Sequence, residues 1–422
     1  MQSTLAHFSV LAVLVGSIVL VDEAAAQQPS SAVGDTVATR YRPELDPLGV
    51  RVGSFKLFPQ INLDQSFDDN IYATNNNVKS DFITTVAPNF SLESDWNNHA
   101  LNFSAGGDLG FYADHTREDF ADFFAATNGR LDITGETALY GGGGFARRHE
   151  DRSSPDAVRG REPTEYDAIN GFARLVHQVG RVRGQLNSSV QRLDYSNPEA
   201  AGPGHTTINQ DFRDRTMLEQ GVRVGYELSP SYEAFARVTG NVRDYDQRQQ
   251  STGINRDSYG YQVDTGIDIN LGGLVFGSVF GGYLVQDYND FNTVSEPTFG
   301  LGLTWTPSGL TTVNATVRRF VQEVTQRYAS SVLVTAGEVS VDHELLRNLL
   351  LNANVSISNF NYDSSSREDY YYGAGAGVRY LMNRNLYATL AYKYRKRDSD
   401  DAPNANPNFS GNIFRIGIEA QM

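Results

Sequence analysis

Apolar and polar residues alternate with a period of two from Ser54 to the end of the chain. Thr84, Val86, Pro88, Phe90 and Leu92 fall on one face of an extended segment. Past Asn97-Asn98 the next segment sets Leu101, Phe103, Ala105, Leu109 and Phe111 against Asn102, Ser104 and Asp108. Tyr259, Tyr261, Val263, Thr265, Ile267, Ile269 and Leu271 alternate with Gly260, Gln262, Asp264, Asp268 and Asn270, and Leu351, Ala353, Val355 and Ile357 with Asn352, Asn354, Ser356 and Ser358. Side chains along a strand point to opposite faces in turn, so each segment predicts a strand with one apolar and one polar face.

Short turns fall near Asn97-Asn98, Gly135, Val179-Gly180, Pro230, Gly272-Gly273, Pro307-Gly309, Arg347-Asn348 and Asn383-Arg384, about 40 residues apart. That is the spacing of long hairpins. Eight turns imply nine hairpins and therefore 18 strands, or 16 if two weak ones merge. The opposite ends, residues 69–79, 149–164, 196–210, 244–257, 362–368 and 397–408, are longer and rich in Asp, Asn, Arg and Ser. A closed antiparallel up-and-down barrel satisfies every backbone N–H and C=O inside a membrane, and outer-membrane barrels have short periplasmic turns and longer outer loops. The pattern therefore predicts an all-β transmembrane barrel over residues 54–422, in the outer membrane of a Gram-negative bacterium.

A soluble sandwich or propeller also alternates. Here, however, the apolar faces are rich in aromatic residues and Ala, and Trp96, Tyr226, Tyr232, Trp305, Tyr380, Tyr392 and Tyr394 are placed near strand ends, as interfacial girdles require. The last strand sets Phe414, Ile416, Ile418, Ala420 and Met422 against Arg415, Gly417, Glu419 and Gln421. It resembles the terminal strand read by the outer-membrane assembly machinery, although Met422 stands where Phe or Trp is usual.

The N-terminal 26 residues have the form of an export signal, with an apolar run from Phe8 to Val21 and Ala24-Ala25-Ala26 before Gln27. Residues 27–53 form a polar periplasmic lead punctuated by Pro29, Pro43 and Pro47, expected to lie in the barrel mouth or to touch a periplasmic partner. Past Gln27 no apolar run is long enough for a membrane-spanning helix.

Composition adds exclusions. The 422 residues include 22 Tyr, 23 Phe, 39 Gly and no Cys, and the formal net charge is −15. Disulfide and cysteine-metal scaffolds are excluded, and an acidic chain without a Lys/Arg cluster is a poor partner for nucleic acid.

Eighteen strands tilted by about 40° enclose a backbone radius of about 18 Å, wide enough for water. Turning the polar faces inward puts Arg181, Arg183, Arg223, Arg237, Arg318, Arg379, Lys393 and Arg395 in the lumen, with Asp108, Asp264, Asp268, Glu338 and Glu419 on other walls. These are the candidate pore-lining residues, although charges of this kind are more often simply paired or solvated. Asp64, Asp68, Asp69 and Asn70, and Asp398, Asp400, Asp401, Asn404 and Asn406, are oxygen clusters that could gather Ca²⁺ or bridge lipopolysaccharide phosphates, with solvated loops the simpler account.

No enzyme is expected. Nucleophile-elbow, H-E-x-x-H, EF-hand and phosphate-loop spacings are absent. His99, His177 and His343 near the periplasmic turns, and His115, His149 and His205 in outer loops, lack an evident lipid-facing Ser partner. No cofactor or metal is expected.

Arg42-Pro43-Glu44-Leu45-Asp46-Pro47-Leu48-Gly49-Val50-Arg51-Val52-Gly53-Ser54-Phe55, then Leu57-Phe58-Pro59 and Asp68-Asp69-Asn70-Ile71-Tyr72, resemble the start of a family of outer-membrane β-barrel porins, the porin 2-like barrels. Leu303-Thr304-Trp305-Thr306-Pro307, Leu310-Thr311-Thr312-Val313, Arg318 and Glu323 look like that family's strand, turn and strand unit. The resemblance implies a barrel often associated with exopolysaccharide synthesis and export loci, with secreted glycan as cargo and periplasmic export components as partners. It transfers no individual site residue. Tyr387 is a candidate for stacking on sugar rings, with packing the simpler role.

The expected function is a porin-like conduit. The alternative is a closed or plugged structural or adhesive surface barrel. The longest outer loop is about 16 residues, which leaves monomer and trimer open. A long inward loop or a bulky self-paired lumen favours the alternative, and separated charges along a continuous polar lumen favour the conduit.

Overall fold

The computed structural model describes residues 35–158, 160–202, 206–326, 329, 331–363, 365–400 and 408–422. The expected export signal, His205, Asp401, Asn404 and Asn406 lie outside these residues. A short strand β1 (Val50–Val52) precedes β2 (Phe55–Asp68), β3 (Asp81–Ser94), β4 (Ala100–Tyr112), β5 (Phe120–Asp132), β6 (Thr137–His149) and β7 (Glu165–Val179). Then follow β8 (Val182–Tyr195), β9 (Arg215–Ser229), β10 (Tyr232–Tyr245), β11 (Ser258–Asn270), β12 (Val275–Tyr288) and β13 (Val294–Ser308). The last are β14 (Thr311–Glu323), β15 (Ser331–Leu346), β16 (Leu349–Tyr362), β17 (Glu368–Asn383), β18 (Leu386–Ser399) and β19 (Phe409–Gln421).

Each of β2 to β19 pairs antiparallel with its sequence neighbours, and β19 returns to β2 with Gln421 opposite Gln60 and Ile413 opposite Asp68. Eighteen strands therefore close with no free edge, and β1 is the one extra strand. It pairs with the start of β2, Val50 opposite Leu57 and Val52 opposite Phe55. Its place on β2 is the one β19 vacates at Met422, whose N–H donates to the Pro59 carbonyl.

The alternation sorts the side chains as a membrane demands. Leu63, Phe103, Val222, Val263, Val355, Leu390, Ile416 and Ile418 are all exposed on the outer face, where lipid rather than protein covers them. Trp96, Tyr226, Tyr232, Trp305 and Tyr380 stand exposed beside the periplasmic turns. Tyr392 and Tyr394 do not join that girdle, because β18 runs from Leu386 to Ser399 and carries both in its middle. There Tyr392 packs on Phe414 of β19. All eight expected turns are present, and the outer rim has three further connections, 113–119, 289–293 and 324–330.

Candidate functional site in the barrel lumen

The wall from β8 to β11 carries a chain of paired charges. Arg223 of β9 lies opposite Arg237 of β10 in register, and like charges so placed repel unless each is neutralised. Each is. Arg223 donates to Glu233 at 2.9 Å and also to Asp268, while Arg183 stands 3.6 Å from the other oxygen of Glu233. Arg237 donates through Nε and Nη2 to Asp264 at 3.0 and 2.9 Å, and Asp264 also accepts from Gln262 and Thr298.

Aromatic rings on the same wall lie flat. Phe280 of β12 covers the inward face of Gly300 on β13, where an added Cβ would come within 2.3 Å of the ring. Phe235 of β10 covers Gly266 of β11 in the same way, at 2.7 Å. The guanidinium of Arg237 stacks over Phe280 at 4.9 Å and that of Arg223 over Phe235 at 4.1 Å. Glycine backbone, ring and cation thus form a layered wall that keeps bulky side chains close to the strands.

At the outer end, residues 150–158 of the β6–β7 connection reach into the lumen to the β14–β15 connection and to β18, across the ring from their own hairpin. Asp156 accepts the N–H of Thr325 at 3.0 and 3.1 Å, Gln326 donates to the Pro155 carbonyl at 2.6 Å, and Arg397 of β18 donates to the Ser153 carbonyl at 3.4 Å. The loop is held at its own end as well. Arg213 makes a two-pronged pair with Glu150 at 2.7 and 3.1 Å, and Arg152 another with Glu118 at 2.8 and 2.9 Å. Beside it Val324, Gln326 and Ala329 are held by Arg256, which is almost fully buried and donates to their three carbonyls. Below them Val332, Val334, Ala336, Phe360, Tyr371 and Phe409 pack into an apolar cluster on the inner wall.

Three loop groups show the electrostatics of this enclosure. Burial pushes the Asp156 carboxyl up, against the attraction of Arg213. Burial also raises Asp214, to about 6, helped by the charges of Asp194 and Asp211. Asp151 is held below the usual carboxylate range: burial opposes this, but Arg395 and the Ser153 N–H and O–H outweigh it.

The periplasmic mouth is occupied by the lead. The Val37 N–H donates to Thr312 Oγ1 at 2.9 Å, and Val37 and Leu45 pack on Leu350, Leu381 and Tyr387 of the inner wall. Arg42, buried, donates to Glu344 at 2.7 Å and to the Val37 carbonyl at 2.9 Å, and Arg40 reaches the same Glu344 oxygen at 3.3 Å.

The family profile Putative beta-barrel porin 2 matches residues 42–422. The chain belongs to this family. No curated protein matches it. Among solved structures, OccK2 (OpdF) of Pseudomonas aeruginosa is similar at 9% identity and a TM-score of 0.47, covering 88% of this chain and 98% of its own. A BenF-like porin from Pseudomonas fluorescens Pf-5 gives 10% and 0.46, covering 87% and 99%. The siderophore receptor PirA from Acinetobacter baumannii gives 6% and 0.47, covering 88% and 81%. Membership in the porin family puts this barrel in the bacterial outer membrane.

In this porin the structure brings Arg183, Arg223, Arg237, Asp264 and Asp268 together on one wall. Arg379 instead pairs with Glu419 at 2.7 and 2.5 Å near the periplasmic end, and Arg395 with Asp68 at 2.7 Å near the outer end. Arg318 of β14 stacks on Phe320, Lys393 lies one inward position below Arg395 on β18, and Glu338 lies on β15. Arg181 is not on the wall. Val179 pairs with Val182, so Gly180, at φ 56°, and Arg181 form the exposed turn.

The oxygen clusters are dispersed. Asp64 and Asp68 face the lumen on β2, Asp69 accepts from Asn412, and Asp398 pairs with Lys396. Among the described residues no group of His, Cys, Asp and Glu is arranged to hold a metal. Tyr387 is buried and donates to the Leu45 carbonyl, so its ring serves the lead and is closed to a sugar. The loop anchors Glu150, Asp156, Arg213 and Arg256 lie in connections between strands, Arg213 at the end of a 3-10 turn (Asp211–Arg213), where no strand period distinguishes an inward side chain from an outward one.

Proposed function

We propose that the barrel is a conduit for polar solutes across the outer membrane, narrowed by its own residues 150–158 and 324–326 outside and by the lead at the periplasmic mouth. The observation that carries this is the closed 18-strand ring, whose wall from β8 to β11 turns Arg183, Arg223, Glu233, Arg237, Asp264 and Asp268 inward, their charges paired with one another along the strands. Polysaccharide is the proposed cargo, a reading that comes from the family resemblance, with periplasmic export components as the proposed partners.

A second reading, the closed surface barrel, is favoured by that self-pairing and by the inward loop, whose Asp156 and Pro155 accept hydrogen bonds from Thr325 and Gln326 in the β14–β15 connection. Single-channel recording of the refolded chain from residue 27 onward in a planar bilayer separates the two. Open steps interrupted by an added neutral oligosaccharide support the conduit with glycan access, and open steps indifferent to sugar support a general porin. Silence from a barrel that shows heat-modifiable migration on gels overturns the conduit.

A further inference from the structure

Arg215 opens β9 and faces the lumen opposite Tyr245. It is more than nine-tenths buried, yet no carboxylate among the described residues pairs with it. Its one hydrogen bond runs from Nη1 to the Arg213 carbonyl at 3.0 Å, and its Nε is buried with no acceptor. The nearby carboxylates are already engaged. Glu150 is taken by Arg213, Glu323 by Arg243, Tyr245 and Tyr288, and Asp156 by the Thr325 N–H.

What surrounds the guanidinium is aromatic. The Tyr195 ring lies 5.9 Å away and the Tyr245 ring 5.5 Å away. Ring faces orient a guanidinium but leave its full charge and its Nε–H unsatisfied. The free Nε and Nη2 form the fork that binds a carboxylate or a phosphate through two parallel hydrogen bonds.

We infer that Arg215, between Tyr195 and Tyr245, is a lumenal subsite for a carboxylate- or phosphate-bearing solute. This rests on the conduit reading for its meaning in transport, but not for binding itself. The anion completes the fork of Arg215, while Tyr195, already covered by the Arg213 guanidinium at 4.0 Å, and Tyr245, buried and bonded to Glu323, hold that fork in place. A neutral sugar of the same size offers the fork no charge.

Two experiments on the refolded chain keep the claims separate. Calorimetric titration in detergent with trigalacturonate, with inorganic phosphate and with neutral maltotriose is expected to show binding of an acidic probe and none of maltotriose. Arg215→Gln is expected to weaken that binding at least tenfold, Arg215→Lys to weaken it less, and Arg181→Gln in the exposed turn to leave it unchanged. The preference between trigalacturonate and phosphate identifies which anion the fork takes. Equal affinity in wild type and Arg215→Gln, with both migrating as folded barrels, overturns the subsite, as does the absence of binding by either acidic probe. In the bilayer, Arg215-dependent block by the acidic probe places the subsite on the conduit. Binding in detergent from a barrel that never conducts sinks the conduit and leaves the subsite standing.

Discussion

Asp156, midway along the β6–β7 loop, accepts the backbone N–H of Thr325 from beyond β14, at 3.0 and 3.1 Å. This contact joins residues 169 positions apart and sets how far the loop crosses the lumen. Asp156→Ala leaves a buried N–H without an acceptor, which costs about 1–3 kcal/mol locally. The barrel has its full ladder without this bond, so its melting is expected to stay within about 1 kcal/mol of wild type. The loop should loosen. Amide hydrogen exchange at residues 150–164 and 324–326 is expected to accelerate, and unchanged protection there shows that the contact does not hold the loop.

The same logic applies at the other mouth. Arg42 is buried against Glu344, and Glu344→Ala removes the counter-charge of Arg42 and Arg40 together. Stranding a buried guanidinium costs about 3–5 kcal/mol when its environment cannot rearrange. Here the lead can leave the wall instead. Limited proteolysis is expected to cut between residues 35 and 48 in Glu344→Ala while the barrel stays folded, whereas wild type resists. Equal resistance in both would show that Val37 and Leu45 hold the lead by packing alone.

Most of the fold is legible in the sequence because a barrel wall between lipid and water forces a period of two on every strand. Tyr259, Tyr261 and Val263 against Gly260, Gln262 and Asp264 need no tertiary information to be sorted outward and inward. Arg183, Arg223 and Arg237 follow from the same period, but their convergence with Glu233 and Asp268 depends on register between strands, which is fixed by turns such as Gly180-Arg181. The inward loop was not legible. Asp156 and Arg256 sit in connections where solvated and folded-in segments have the same composition, and only the bonds each makes across the closed barrel tell them apart. Tyr387 misleads for a related reason: its inward face is polar by period, yet the lead covers it.

Gly300 gives a direct test of the layered wall. A Cβ there would meet Phe280 at 2.3 Å, so Gly300→Ala must lift the ring off β13 and away from Arg237. Overpacking of this kind costs about 1–3 kcal/mol. Gly302, two residues on and on the same face, has open space around its Cβ position. Gly302→Ala is expected to be close to neutral in the same urea unfolding assay, and equal destabilisation by both variants would falsify the ring-on-glycine arrangement as the cause.

The pH response of the outer loops follows from Asp214. Its carboxyl is raised to about 6 in the folded protein, by burial first and then by Asp194 and Asp211. Unfolding of this segment returns it to an ordinary value near 4. Between those two pH values the folded segment holds a proton that the opened segment releases, so protonation favours the closed form. Stability from this group is therefore present below about pH 4 and declines as pH rises through 6. The bond from the Tyr195 N–H survives either way, since the protonated carboxyl keeps an acceptor oxygen. Hydrogen exchange at Tyr195 is expected to quicken between pH 5 and pH 7 after correction for intrinsic exchange, and Asp214→Asn is expected to remove that dependence.

Ile416 and its neighbour Arg415 test the assignment of faces. Ile416 is 61% exposed at the middle of β19, on the side given to lipid, while Arg415 points into the lumen beside Ser66. An Arg on the lipid face near the bilayer midplane costs about 2–4 kcal/mol. Ile416→Arg is expected to lower barrel stability by that amount in lipid vesicles. Arg415→Ile places an apolar residue against a polar lumen and gives up the hydrogen bond to Ser66, worth about 1 kcal/mol. The order of the two variants is the informative result, because a strand turned by one residue exchanges the two environments and reverses it.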